Sequence, residues 1–284
     1  MLVLKKPDQM RAFSEEQRAQ GRTIGFVPTM GYFHEGHLAL MRQAKDLADL
    51  VVISIFVNPT QFGPSEDLAA YPRDFERDSQ MAEQVGVDVI FNPEPADIYP
   101  EGFQTTVLVN ELIKPLCGVN RPVHFKGVAT VCCKLFNIVR PHLAVFGEKD
   151  YQQLLVVDRV VRDLNMDLEI VPGPTFREPD GLAMSSRNVY LTPEQRKQAP
   201  ALIRALRHAQ EMVEQGVVER DRILSEATAI IQEQSEAQID YVELRTIPDL
   251  HVASEMPKGR HLLALAVRFG KARLIDNTVL PFPE

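Results

Sequence analysis

The sequence predicts an α/β protein: an open parallel sheet with helices on both faces, followed by a smaller α+β domain. Three observations carry this. Short apolar runs alternate with amphipathic helical stretches throughout the first half. One of those runs, "VVISIFV" (51–57), is continuously apolar, as parallel strands are when both faces are covered. From about residue 176 the alternation stops, which predicts one domain over 1–176 and a second over 177–284.

The elements follow in order. "TIGFVP" (23–28) reads as a buried strand, and 36–50 as a helix with Leu40, Ala44 and Leu47 along one face. After the strand at 51–57, a helix near 74–85 leads into the strand "VDVIF" (87–91), and "TVLV" (106–109) reads as a further strand. A helix over 127–140 precedes the strand "LAVFG" (143–147), and a helix near 150–164 precedes "LEIVP" (168–172). β–α units of this length place ligands at the carboxyl ends of the strands. Beyond them, one helix is predicted over 192–216, with Thr192 as N-cap, Pro193 in the first turn and Gly216 as the stop. A second polar helix covers roughly 220–235. "DYVELRT", "HLLALAVRF" and "ARLID" have no helices between them and read as antiparallel strands.

The 284 residues are 45% hydrophobic and 25% charged, the composition of a soluble globular chain. No run approaches eighteen apolar residues, so no membrane span is expected. The N-terminal "MLVLKKPDQM" lacks signal-peptide order. Three cysteines (Cys117, Cys132, Cys133) cannot build a disulfide framework, and a reducing cytoplasm is expected. A net charge of −8 with no basic stripe argues against a nucleic-acid partner. An anionic substrate must then be met locally by a few cations and backbone N–H groups.

Four stretches at strand ends carry candidate chemistry. In "PTMGYFHEGH", Gly31 and Gly36 permit close backbone approach, and His34 and His37 lie one turn apart at a helix start. There, exposed N–H groups and the helix dipole favour phosphate. Plain capping and packing residues fit the same pattern; zinc fits it less well, because the spacing is H-x-x-H rather than H-x-x-x-H and no third ligand cluster with suitable spacing is evident. In "IFVNPTQFGPSEDLAAYPRD" (55–74), Asn58 and Gln61 are uncharged amides suited to hydroxyl and carboxylate groups, or else part of an ordinary Pro/Gly turn. "FGEKDYQQL" (146–154) repeats strand, glycine and helix; Lys149 can reach a phosphate, Asp150 can cap the helix, and Gln153 faces the same side as Asp150. "DGLAMSSRN" (180–188) surrounds Arg187 with small and hydroxyl residues, as a mobile polyphosphate-binding loop or a solvated linker would. The chain has no G-x-G-x-x-G after its first strand, no P-loop and no G-x-S-x-G elbow, which disfavours dinucleotide dehydrogenases, P-loop enzymes and serine hydrolases.

Taken together, "FVPTMGYFHEGHLAL", "VVISIFVNPTQFGPSEDLAAYPR", "RPVHFKGVATVCCKLFNIVRP", "FGEKDYQQL" and "DGLAMSSRNVYL" resemble the pantothenate synthetase (pantoate–β-alanine ligase) family, in order, over residues 24 to 191. The final third matches more loosely and ends in "ARLIDN". That family belongs to the nucleotidyltransferases with HIGH and KMSKS signatures, which "HEGH" and "MSSR" resemble. The resemblance implies a Rossmann-like open parallel sheet and a C-terminal lid. It also implies ATP with Mg²⁺, (R)-pantoate and β-alanine as ligands, a pantoyl adenylate intermediate, and a homodimer. Carried over by position, His37 is a proton donor. Met30, Gly31, His34 and His37, Gly147, Glu148, Lys149 and Asp150, Phe176, and Met184, Ser185, Ser186 and Arg187 contact ATP. Lys149, Ser185, Ser186 and Arg187 hold its phosphates, while Gln61 and Gln153, with Asn58 and Arg121, meet pantoate and β-alanine. Arg121 and His124 close over the site. The protein ligand of Mg²⁺ stays unassigned. Two positions depart from the pattern: "MSSR" has one cation where a full KMSKS loop has two lysines, and Tyr32 and Phe33 are bulky where smaller residues are expected.

Overall fold

The computed structural model describes residues 1–64 and 68–284. Ser65, Glu66 and Asp67, part of the long loop after the third strand, lie outside the described residues. The chain divides into two units. The first comprises Met1–Lys114, Gly118–Glu148 and Gln152–Pro174; the second comprises Pro115–Cys117, Lys149–Tyr151 and Thr175–Glu284.

In the first unit, β1 (Leu2–Leu4) and α1 (Pro7–Ala19) precede β2 (Ile24–Thr29), α2 (Glu35–Leu47), β3 (Leu50–Ile55), α3 (Phe75–Val85) and β4 (Val89–Phe91). Two single turns follow, α4 (Pro95–Ile98) and α5 (Cys117–Asn120). Then come α6 (His124–Val139), β5 (Leu143–Gly147), α7 (Tyr151–Asp163) and β6 (Glu169–Gly173). All six strands pair in parallel, in the order β1-β4-β3-β2-β5-β6. The predicted open parallel sheet is therefore present.

Alternation along each strand feeds two separate cores. Phe26, Val52, Val89, Phe91, Ala144 and Phe146 face α1, α6 and α7, while Val27, Val51, Ile53, Ile90 and Val145 face α2 and α3. The buried stripe of α2 is Leu38, Met41 and Ala44, and Leu47 is about half exposed. This corrects the expected face of Leu40, Ala44 and Leu47. Leu40 sits to one side, against the backbone of Gly147 and Gly173. The expected strand at 106–109 is also absent. Its Val107 N–H donates 3.0 Å to Thr130 Oγ1 on α6, so a side chain replaces a strand neighbour.

The direction of chain progression reverses between β2 and β5. From β2 the chain steps outward through β3 to β4, then returns to the other side of β2 as β5. Loops leaving neighbouring strands on the two sides of such a switch point diverge and leave a crevice at their carboxyl ends. A second close approach shapes this end of the sheet. The 3₁₀ turn Pro59–Gln61, which follows β3, lies directly on α6 at Gly127.

In the second unit, α8 (Pro193–Gln198), α9 (Ala201–Glu214) and α10 (Arg220–Gln232) precede β7 (Ala237–Thr246), β8 (Gly259–Phe269) and β9 (Ala272–Phe282), paired antiparallel in that order. Leu202, Leu206 and Ala209 of α9 and Ile223 and Ile231 of α10 pack on Leu263, Leu265 and Val267 of β8. Thr192 caps α8 as expected, with Oγ1 accepting from Gln195 N. The single helix expected over 192–216 is broken in two at Pro200, which has no N–H to donate and whose ring crowds the preceding turn. All three cysteines are free thiols.

A Cβ on residue 127 would lie 2.4 Å from the carbonyl oxygen of Thr60 and 2.6 Å from Gln61 N. Gly127→Ala is therefore expected to lower the unfolding free energy by about 1–3 kcal/mol, the usual cost of overpacking. Chemical denaturation checks this, and an unchanged midpoint would mean that the turn can yield.

Candidate active site

The loop from β2 to α2 is shaped by one buried carboxylate. Gly31 (φ 83°) and Tyr32 (φ 52°) are both left-handed, so two successive N–H groups turn to the same side. Asp78 of α3 receives both: Tyr32 N lies 2.6 Å from Oδ2 and Phe33 N 2.7 Å from Oδ1. Gly31 is needed for space as well as for φ, since a Cβ there would be 2.9 Å from Asp78 Oδ2. Arg77 donates to Phe33 O at 2.9 Å, and its guanidinium stacks on the Tyr32 ring. Both bulky residues thus have defined places. Tyr32 lies beneath Arg77, and Phe33 is buried with Leu38, Met41 and Ile55.

His34 then caps α2 in extended backbone, and His37 is the third residue of the helix. Their rings stack at 4.1 Å, with Phe33 5.6 Å from the His37 ring. His37 Nδ1 accepts from His34 N at 3.4 Å. In the neutral imidazole this acceptor role assigns the proton to Nε2.

The second strand end holds a polar network. Gln61 Nε2 is 3.0 Å from Met30 Sδ, which joins the loop after β3 to the loop after β2. Asn58 is only 1% exposed. Its Nδ2 donates to Gln61 Oε1 and to Gly127 O, both at 3.1 Å, and its Oδ1 accepts from Thr60 and Tyr99. Both ends of this side chain are committed inside the protein, so Asn58 shapes the site by holding Gln61. His124 is likewise buried, with Nδ1 3.1 Å from Gln61 O, and His124 N donates to Arg121 O. Beyond β5, Gly147 ends the strand opposite Gly173, and Glu148 opens a 3₁₀ turn. Gln153 lies in the first turn of α7, whereas its neighbour Gln152 is buried and donates to Leu112 O at 2.8 Å.

The remaining candidates belong to the second unit. Lys149 Nζ lies 3.5 Å from Asp150 Oδ2, and Lys149 O accepts from Asn277 Nδ2 at 2.9 Å. Phe176 and Met184 face each other across a hairpin, with Met184 N donating to Phe176 O at 3.0 Å. Its turn is gripped by Arg196, which pairs with Glu178 and Asp180, and its first arm by Arg177, which forms a two-pronged pair with buried Asp276 at 2.7 and 2.9 Å. Arg196 holds the Asp180 carboxyl below its ordinary range. Ser185 accepts from Arg187 N at 3.3 Å and so starts the short turn Ser186–Tyr190. Asn188 ties that turn back to Glu178 and Ala183. The segment 184–190 is a hydrogen-bonded turn carrying Arg187.

Sequence reading missed Asp78, Tyr99, Asp276 and Asn277. Asp78 had a signal: it is an acid four residues before Ala82 on the buried stripe of α3. Asp276 and Asn277 lie in "ARLIDN", and Tyr99 had no signal of its own.

An open parallel sheet with a topological switch point, carrying a histidine-bearing helix start and a pinned amide at neighbouring strand ends, has the architecture of α/β proteins that take ligands there. Within that class, the pantoate-beta-alanine ligase model matches residues 2–279, and the chain belongs to that family; it is a ligase. The pantothenate synthetase of Pelotomaculum thermopropionicum is 55% identical over 280 residues, 99% of each chain. That of Syntrophus aciditrophicus is 54% identical over 98% of this chain and 97% of its own. The crystal structure of pantothenate synthetase from Thermus thermophilus superposes with a TM-score of 0.91 at 46% identity, covering 98% and 99% of the two chains. A pantoate-β-alanine ligase from Francisella tularensis, complexed with beta-gamma ATP and β-alanine, gives 0.81 at 34% identity, with 98% and 97% covered.

Burial raises the Asp78 carboxyl above its ordinary pKa, and the two backbone N–H groups oppose that rise only in part. A raised folded-state pKa contributes stability that is complete below the unfolded value and is lost as pH rises through the folded one. In urea unfolding, the stability of wild type relative to Asp78→Asn is therefore expected to be greatest below the ordinary aspartate range and to shrink with rising pH. A gap that widens with pH contradicts this. Asp78→Ala, which orphans two N–H groups, is expected to cost about 2–4 kcal/mol at neutral pH.

Proposed function

We propose that the chain condenses (R)-pantoate with β-alanine, using ATP, through a pantoyl adenylate. A pantoate carboxylate oxygen attacks the α-phosphorus and pyrophosphate leaves. The β-alanine amine then attacks the acyl carbon, AMP leaves, and the ammonium proton is lost to form the amide. One observation carries this reading: Gln61, the proposed pantoate ligand, is held against Met30, in the proposed ATP segment, at 3.0 Å. This contact supports a pantoate carboxylate and a phosphate meeting at these two strand ends, as an attack of one on the other requires.

In this reading, the N-terminus of α2 and the Nε2–H of His37, beside His34, meet phosphate oxygens and stabilise the developing charge. Met30 and Gly31, Gly147 and Glu148, Asp150, Phe176 and Met184 complete the nucleotide site. Lys149, Ser185, Ser186 and Arg187 hold the phosphates, and Gln61, Gln153 and Arg121 hold pantoate and β-alanine, with Asn58 behind Gln61. Mg²⁺ accompanies ATP. Among the described residues no group of three or more His, Cys, Asp and Glu could hold a metal. A homodimer in the cytoplasm completes the proposal. Among the described residues no helix is long and apolar enough to cross a membrane.

The test is pantoate-dependent ATP–pyrophosphate exchange, followed by AMP release on adding β-alanine. Exchange without pantoate, or a product that retains AMP, would overturn the reading. His37→Ala is expected to slow exchange by about 10²–10⁴-fold with the fold intact. Gln61→Ala is expected to raise the KM for pantoate while changing that for ATP little, and equal loss for both ligands would refute its role.

A further inference from the structure

Asparagine and glutamine side chains are directional only if something fixes which end is which. Here backbone groups do so. Thr60 N, which can only donate, points at Asn58 Oδ1 at 3.3 Å, and Gly127 O, which can only accept, lies 3.1 Å from Asn58 Nδ2. The second hydrogen of Nδ2 goes to Gln61 Oε1, so Gln61 must turn its NH₂ the other way, toward Met30 Sδ. The shortest contact to Asn58 Oδ1 is the Tyr99 hydroxyl at 2.8 Å, against 2.9 Å for Thr60 Oγ1. Tyr99 arrives after β4 and α4, and Phe103 meets its ring edge-on at 5.1 Å. Burial raises its phenol pKa, so the hydroxyl keeps its proton in neutral solution.

We propose that Tyr99 is a positioning residue for the carboxylic acid substrate: through Asn58 it locks Gln61 as a hydrogen-bond donor, so that this subsite selects a ligand presenting an acceptor oxygen. This rests on the reading of Gln61 as the pantoate ligand and adds a residue that holds Asn58 in the orientation whose polarity the backbone of Thr60 and Gly127 sets. Thr60 shares the load on Asn58, so removing the Tyr99 hydroxyl loosens Gln61 without releasing it.

A double-mutant cycle of wild type, Tyr99→Phe, Gln61→Ala and the double variant tests this by pantoate-dependent exchange. Tyr99→Phe keeps the ring and is expected to raise the pantoate KM about 3- to 10-fold, the value of one hydrogen bond, with the ATP KM and the saturated rate nearly unchanged. In the Gln61→Ala background the same substitution should add nothing. An equal loss in both backgrounds, or a joint rise of both KM values, would make Tyr99 a packing residue and overturn the proposal. If wild type shows no pantoate-dependent exchange, the proposed function fails, and the side-chain amide NMR signals judge the relay separately. On Tyr99→Phe, the Gln61 NH₂ signals should shift while those of Gln43, which donates to Pro172 O elsewhere, stay fixed. Unmoved Gln61 signals would overturn the relay.

Discussion

The Asp78 carboxylate is the constraint on which the loop from β2 to α2 depends. Gly31 and Tyr32 are both left-handed, which turns the N–H groups of Tyr32 and Phe33 toward the two oxygens of this one carboxylate. A non-glycine residue in that region costs roughly 1–2 kcal/mol. The paired hydrogen bonds and the stacked Arg77 offset it. The result fixes where α2 begins, and with it the directions of His34 and His37. A carboxylate used this way acts on the backbone, which explains why it is buried 46 residues along the chain from the loop it holds.

Elsewhere around the crevice the site relies on neutral groups. Asn58, Gln61, Thr60, Tyr99 and His124 form a connected network whose members satisfy one another, and Gly127 makes room for it by lacking a side chain. Such a network is costly if any member is left unpaired, so it holds a single arrangement. For a chain of net charge −8 this is a consistent design.

Much of the fold was legible because burial leaves a periodic trace. Strands β2 to β6 were found by their apolar runs, and α2, α3, α6 and α7 by helical spacing, since each had to cover a face of the sheet. Errors arose where periodicity was not the deciding term. Leu47 fits the spacing yet is half exposed, because the sheet meets α2 along Leu38, Met41 and Ala44. The run at 106–109 has strand-like residues but finds Thr130 as its partner. Pro200 outweighed the helical pattern around it.

By itself the sequence determined the class of the fold, the positions of the strand ends and the residue types gathered there, since these follow from local propensity and apolar patterning. It also carried the family resemblance, through motifs in fixed order. Only the tertiary structure decided that Asn58 is turned inward, that Tyr32 and Phe33 have places of their own, and that Asp78 and Tyr99 stand behind the site residues. Those roles depend on contacts between residues 31 to 69 positions apart, and the polarity of an amide is set by whichever donor or acceptor the fold brings beside it.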